Sequence, residues 1–315
     1  MYIMLNTVHL SLPIGPTTVL LSGPTMTIPL SSLLPRRLRH HWWLRRDAIP
    51  WPLWRELREA VPLIGRLDER RSAELRALTT LFLHEKRFSG AHGFEVTDEM
   101  RLVVASQACL LILAVESGPP VRRLRWFDGW VEIILYPDSF VTRHEERDDH
   151  GLVHTGSRIL SGEAWLNGPV LLSWAEAMPG RQPYGEGTNV ILHEFAHKLD
   201  MQNGVANGMP PLPSRMDRSR WSAAFNAAYA DFRRRLESGD PLPLDPYAGE
   251  SPAEFFAVCT ECFFEAPALL CESYLEIYHQ LGLFFGQRRE CTPVVENTRV
   301  QQEGGARPRN QEMWM

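Results

Sequence analysis

The segment His193-Glu194-Phe195-Ala196-His197 has the residue types and spacing for metal-assisted hydrolysis. Residues four apart share one face of a helix. His193 and His197 can therefore turn two imidazole nitrogens toward one zinc ion, each about 2.0–2.1 Å away. Glu194 follows one residue later, turned by about 100°. It can reach a water beside the ion without taking a ligand position. Zinc brings the pKa of such a water toward about 7, and Glu194 can take its proton.

A catalytic zinc needs a third protein ligand and an open position. The metzincin spacing requires Gly at position 200 and His at 203, where this chain has Asp200 and Asn203. Asp200 lies about 10.5 Å along the helix from His193, too far to join it on one ion. It can instead orient His197 or simply end the helix. The ligand must come from another element. In Ser251-Pro-Ala-Glu254-Phe-Phe-Ala-Val-Cys-Thr-Glu261, two carboxylates interrupt an apolar helix. A buried carboxylate must be paired, metal-bound or neutral. Glu254 and Glu261 are seven apart on one face, and on spacing alone either can be the ligand.

These residues need elements to hold them. Thr188 or Asn189 caps the helix that carries the two histidines, and Val190, Ile191, Leu192 and Phe195 anchor it. It runs to about Asp200, with Asn203-Gly204 as a stop. Ser251 and Pro252 open the second helix. Upstream, Asp68 caps a helix with Leu75, Leu78 and Phe82 at helical spacing, and Thr97 caps another reaching about Val115. Residues Trp130 to Tyr136, Ser157 to Leu160, Glu163 to Leu166 and Val170 to Trp174 predict a small mixed or largely antiparallel sheet. The acidic stretch Glu145 to Asp149 reads as a solvated turn. Trp221 to Leu236 reads as an amphipathic helix between two loops, 205–215 and 239–251. The first loop, rich in Pro and Gly, is a candidate gate.

The composition narrows the classes. With 315 residues and 44% hydrophobic content, the chain can bury a sizeable core. Its formal net charge of −5 argues against direct nucleic-acid binding. The five cysteines, Cys109, Cys259, Cys262, Cys271 and Cys291, show no paired framework. They fit a reducing, cytoplasmic setting. Cys259 and Cys262 fall in an apolar run and read as core thiols. No apolar run is long enough to span a membrane. Residues 1–46 read as an N-terminal extension, disordered or following a mis-assigned start, with Met26 as an alternative. Its first 34 residues have neither the positive start nor the unbroken apolar run of a signal peptide. Within it, Arg36 to Arg46 reads as a solvated, Trp-containing lead-in. The domain is expected over 47–290, with a helical part at about 50–120 and a catalytic part at about 125–290. Residues 291–315 read as a disordered tail.

His193-Glu-Phe-Ala-His-Lys-Leu-Asp200 and Ser251-Pro-Ala-Glu-Phe-Phe-Ala-Val258, followed by Glu261-Cys-Phe-Phe264, resemble the Mlc titration factor A family. Asp128-Gly-Trp130, Ile133 to Phe140 and Gly151-Leu-Val-His154 are similar too. The likeness covers roughly residues 50 to 285. That family comprises bacterial zinc peptidases related to the catalytic domain of anthrax lethal factor. The resemblance implies an α+β, zincin-type (gluzincin) fold and one Zn2+ per chain on His193, His197 and Glu254. Glu194 is then the catalytic base, and Glu261 plays a supporting or structural role. Tyr247, seven residues before Glu254, corresponds to a tyrosine that can hydrogen-bond the developing oxyanion. The resemblance also implies aminopeptidase-like action on peptides and binding of the Mlc transcriptional repressor. A peptide is expected to add to a sheet edge at Val170 to Trp174. The competing expectation is a protein that sequesters a repressor and whose peptidase activity is incidental or gated.

Overall fold

A short polar residue opens each of the long helices the sequence predicts. Asp68 accepts the Arg71 N–H at the start of one, and Thr97 accepts the Met100 N–H at the start of another. The computed structural model describes residues 35–147, 153–180, 187–289 and 291, with only the backbone described at 141–147 and 153–159. The helical first part comprises α1 (Arg36–Arg46), α2 (Trp51–Ala60), α3 (Pro62–Gly65) and α4 (Glu69–Glu85). After strand β1 (Arg87–Gly90) come α5 (Asp98–Leu111) and α6 (Pro120–Arg123). Strands β2 (Glu132–Tyr136), β3 (Phe140–Arg147), β4 (Val153–Leu160), β5 (Gly162–Ala164) and β6 (Val170–Ser173) follow. The short α7 (Trp174–Ala177) precedes α8 (Val190–Asp200) and α9 (Arg218–Ser238). Helices α10 (Pro252–Glu265), α11 (Pro267–Ser273) and α12 (Leu275–Phe285) complete the order.

The architecture is mixed α/β. A four-stranded sheet has the order β1-β2-β6-β5, with β1, β2 and β6 parallel and β5 antiparallel to β6. Strands β3 and β4 form a separate antiparallel hairpin. Position β6 between β2 and β5 explains its apolar run, because all four of its residues are buried. It also corrects the expected peptide-docking edge. Val170 to Ser173 is hydrogen-bonded on both sides, and the free edge on that side belongs to β5.

One buried cluster runs from Trp43 to Phe285. The rings of Phe82, Phe127, Trp130 and Phe195 meet at its centre, 5.4–6.3 Å apart. Phe195 thereby locks the histidine-bearing helix to α4 and to the segment leading into β2. Trp221 and Phe225 of α9 pack on Phe256 of α10 in a second aromatic group.

Three further expectations change. The boundary after residue 46 does not hold, because α1 belongs to the folded unit. His40 and Trp43 are buried, Trp43 stacks on His84 at 4.5 Å, and Arg36 pairs with Glu85 and Asp128. The arginines mask this face in the sequence, since the run reads as charged while the Trp43 ring points in. Residues Glu145 to Arg147 extend β3 instead of turning. The rest of that acidic stretch, residues 1–34 with Met26, and residues 292–315 of the expected tail lie outside the described residues. Cys271 and Cys291 form a disulfide, whereas Cys109, Cys259 and Cys262 are buried thiols. Among the described residues no helix is long and apolar enough to cross a membrane.

Candidate metal centre

Helix α8 begins where Asn189 Oδ1 accepts the Leu192 N–H at 3.0 Å. Helix α10 begins where Ser251 Oγ accepts the Glu254 N–H at 3.1 Å. With both starts fixed, the two helices cross so that three side chains converge. His193 Nε2 lies 2.9 Å from Glu254 Oε2, and His197 Nε2 lies 3.2 Å from the same oxygen. The two Nε2 atoms are 3.2 Å apart. Ligands about 2.0–2.1 Å from a tetrahedral zinc lie about 3.3–3.4 Å from one another. The triangle is close to that size, and a two-histidine, one-carboxylate set suits a divalent transition ion. His193, His197 and Glu254 are thus a group that could hold a metal.

Glu261 takes the other place open to it in the sequence. Its Oε1 is 2.7 Å from His193 Nδ1, and its Oε2 accepts the Asn189 N–H at 2.5 Å. It braces the ring that Glu254 faces from the opposite side. Asp200 makes no hydrogen bond to His197. Its Oδ2 accepts the N–H groups of Asn207 and Gly208, at 2.8 and 2.7 Å, and so ties down the loop after the helix.

Glu194 points the other way, toward β5. Its side chain is buried, and Oε2 has no hydrogen-bond partner. Burial pushes its pKa up to about 7, with the nearby histidines opposing. Burial works the same way on Glu254, but its contacts with the His193 and His197 rings overcome it and hold its pKa at about 2. Glu194 fits only because residue 162 lacks a side chain. A Cβ at Gly162 would fall 2.4 Å from Glu194 Oε1. Lys198, the next residue after His197, is also buried. Its Nζ donates to the carbonyls of Trp165 and Gly168, at 2.5 and 2.9 Å, and fixes the turn between β5 and β6. Burial lowers its pKa to about 8.

Tyr247 lies on a 3-10 turn, Pro246–Gly249, with its ring 5.9 Å from that of His193. It lines a cavity of about 760 Å³ together with His193, Glu194 and Glu261. The cavity continues to Gln107 and Glu265. Sequence reasoning missed Gln107, Gly162, Lys198 and Glu265. Their signals are a glycine at a strand start and polar residues breaking apolar helices.

A family model described as glucose-regulated metallo-peptidase M90 matches residues 35–286, a range that takes in α1. Mlc titration factor A of Edwardsiella ictaluri is 35% identical over 247 residues, covering 77% of this chain and 89% of that protein. The protein of that name from Cronobacter sakazakii is 32% identical over 266 residues, covering 84% of this chain and 97% of the relative. Uncharacterized protein slr2042 of Synechocystis sp. is 36% identical over 252 residues, covering 78% and 89%.

Proposed function

The chain belongs to the glucose-regulated metallo-peptidase M90 family, and from that premise we propose that it is a gluzincin-type zinc peptidase. His193, His197 and Glu254 hold one Zn2+, and Glu194 is the general base. The observation that carries this reading is the convergence of two Nε2 atoms and one carboxylate oxygen beside a buried, unpartnered Glu194.

When bound, the ion supplies Lewis acidity to the scissile carbonyl and to the attacking water. The protein side chains do the rest. Glu194 takes the water proton and later returns it to the leaving amine. Burial, which raises the Glu194 pKa, favours both transfers. Glu261 accepts the N–H at His193 Nδ1 and keeps the Nε2 lone pair free. Tyr247 donates a hydrogen bond to the substrate carbonyl oxygen as it gains negative charge. The substrate backbone runs along the free edge of β5, which starts beside Glu194. Aminopeptidase-like action is part of the proposal. The cavity lining holds five carboxylates and, among the described residues, neither lysine nor arginine, which suits a free substrate ammonium. A cytoplasmic location goes with this reading, and there Cys271 and Cys291 would be thiols.

The test compares wild type with Glu254→Ala and Glu194→Gln. Near-stoichiometric zinc in wild type, lost in Glu254→Ala, is expected. Glu194→Gln keeps the metal and loses hydrolysis. A wild type that takes up no zinc after reconstitution overturns the proposal. The name of these relatives, Mlc titration factor A, favours a second reading, in which the chain binds an Mlc-type repressor. Regulation that survives Glu194→Gln would make binding the function.

A further inference from the structure

Asn189 does more than cap α8. Its Nδ2 donates to Gln107 Oε1 and to Glu265 Oε1, both at 2.7 Å. The bond from Leu192 N–H to Asn189 Oδ1 fixes which end of the Asn189 amide is nitrogen. It follows that Gln107 turns its oxygen to Asn189 and leaves Nε2 over. In the same way Glu265 leaves Oε2 over. Among the described residues neither of these atoms has a hydrogen-bond partner, and Gln107 is only 4% exposed and Glu265 only 8%. Both residues line the cavity that His193 and Glu194 also line. The proposed mechanism uses neither.

An N–H donor and a carboxylate acceptor on the cavity wall, held side by side by one asparagine, define the ligand that would match them. It must offer an acceptor to Gln107 and a donor to Glu265. We propose that Gln107 and Glu265 form a recognition site for the primary carboxamide of a substrate side chain, that of glutamine in particular. The proposal rests on the peptidase reading and names its substrate class. The carboxamide oxygen accepts from Gln107 Nε2, and its NH2 donates to Glu265 Oε2. An ammonium would satisfy Glu265 but oppose the Gln107 N–H. The charge of Glu265 also already lies in the fields of Arg289 and Arg66. A carboxylate would meet Glu265 with like charge, and an aliphatic side chain would leave both polar groups dry and unpaired. Leu63, Val61 and Val258 in the same lining suit the methylenes of a glutamine stem.

The experiment uses the zinc-loaded full chain and matched peptides carrying Gln, Leu, Lys or Glu on either side of the cleaved bond. At one of these positions, kcat/KM for Gln should exceed that for Leu and Lys by roughly tenfold or more, because a site built for hydrogen bonds rejects analogues that lack them. Glu265→Gln keeps an oxygen for Asn189 but offers the cavity two donors, so preference should move toward Glu. Gln107→Glu offers two acceptors, so preference should move toward Lys. Calorimetric binding of the same peptides to Glu194→Gln should rank them in the same order. Equal rates and affinities for Gln and Leu, or selectivity unmoved in both folded variants, overturn the proposal. Hydrolysis of all peptides without preference leaves the peptidase reading intact and sinks this one. If no peptide is hydrolysed the peptidase reading fails, and the binding order alone decides between Gln and the others.

Discussion

His193 Nδ1 lies 2.7 Å from Glu261 Oε1, on the side of the ring opposite Glu254. A histidine can present a lone pair at only one nitrogen when the other carries its proton. The Glu261 contact holds that proton on Nδ1 and turns Nε2 toward His197 and Glu254. Two glutamates that look equivalent in sequence are thus divided by geometry. Glu254 faces both Nε2 atoms of the group that could hold a metal, and Glu261 backs the His193 ring.

This division predicts graded losses of metal. Glu254→Ala removes a ligand and should abolish stoichiometric zinc binding. Glu261→Ala leaves all three ligands and should weaken zinc roughly 10–100-fold, the usual range for a partner behind a ligating histidine. Competition with a chelator of known affinity measures both. Equal losses in the two variants would remove the distinction.

Gly162→Ala tests how Glu194 is placed. The new Cβ would sit 2.4 Å from Glu194 Oε1 and 2.5 Å from its Cγ, so the base must move or β5 must shift. Misplacing a catalytic group by about 1 Å can cost about 10²-fold in rate. Zinc content should stay at the wild-type level, because the ligands lie on other side chains. Unchanged kcat at full zinc occupancy would show that Glu194 has room to spare.

The two-histidine half of the candidate metal group was readable because H-E-x-x-H places its residues by helix geometry alone; the caps Asp68, Thr97 and Ser251 stand where spacing put them, and of Thr188 and Asn189 it is Asn189 that caps. What spacing does not encode is pairing across the fold. Val170 to Ser173 looks like an edge or a centre equally well, since only the β5 and β2 ladders decide. Strand β1, Arg-Phe-Ser-Gly, has too few residues to show alternation. Gln107 reads as an ordinary polar residue in an apolar helix until Asn189 arrives from 82 positions away. Tyr247 comes within 5.9 Å of the His193 ring from 54 positions away, another pairing that spacing does not encode.

Asn189 joins helix start, site and cavity, and two substitutions separate these duties. Asn189→Ala removes the cap, worth about 1 kcal/mol, and also leaves Gln107 and Glu265 without their shared donor. Asn189→Asp preserves a capping oxygen but sets a carboxylate against two acceptor oxygens. If the shared donor matters more than the cap, Asn189→Asp should melt at least as low as Asn189→Ala. An aspartate variant as stable as wild type would mean that capping is its main structural contribution.

Acid sensitivity should originate at the junction of α1 and α4. Burial would raise the Glu85 pKa, but hydrogen bonds from His40 and Arg36 hold it at about 2, against 4.5 for a free side chain. Its folded pKa is depressed, so its contribution is full above about pH 4.5 and is lost as pH falls toward 2. Arg36 is about a third exposed, so screening trims the contribution to roughly 2 kcal/mol. His84 behaves the same way in a higher window. Burial, then the nearby His40, lower its pKa from 6.5 to about 4, so the fold loses stability as pH drops between those values. Denaturant titrations of wild type and Glu85→Gln at each pH should differ by a constant amount above pH 4.5, and the gap should close toward pH 2. His84→Leu should instead flatten the slope between pH 6.5 and 4 and leave the lower segment in place. A Glu85→Gln gap that persists unchanged at the lowest pH would mean that the ion pair with α1 adds nothing and that only packing was lost.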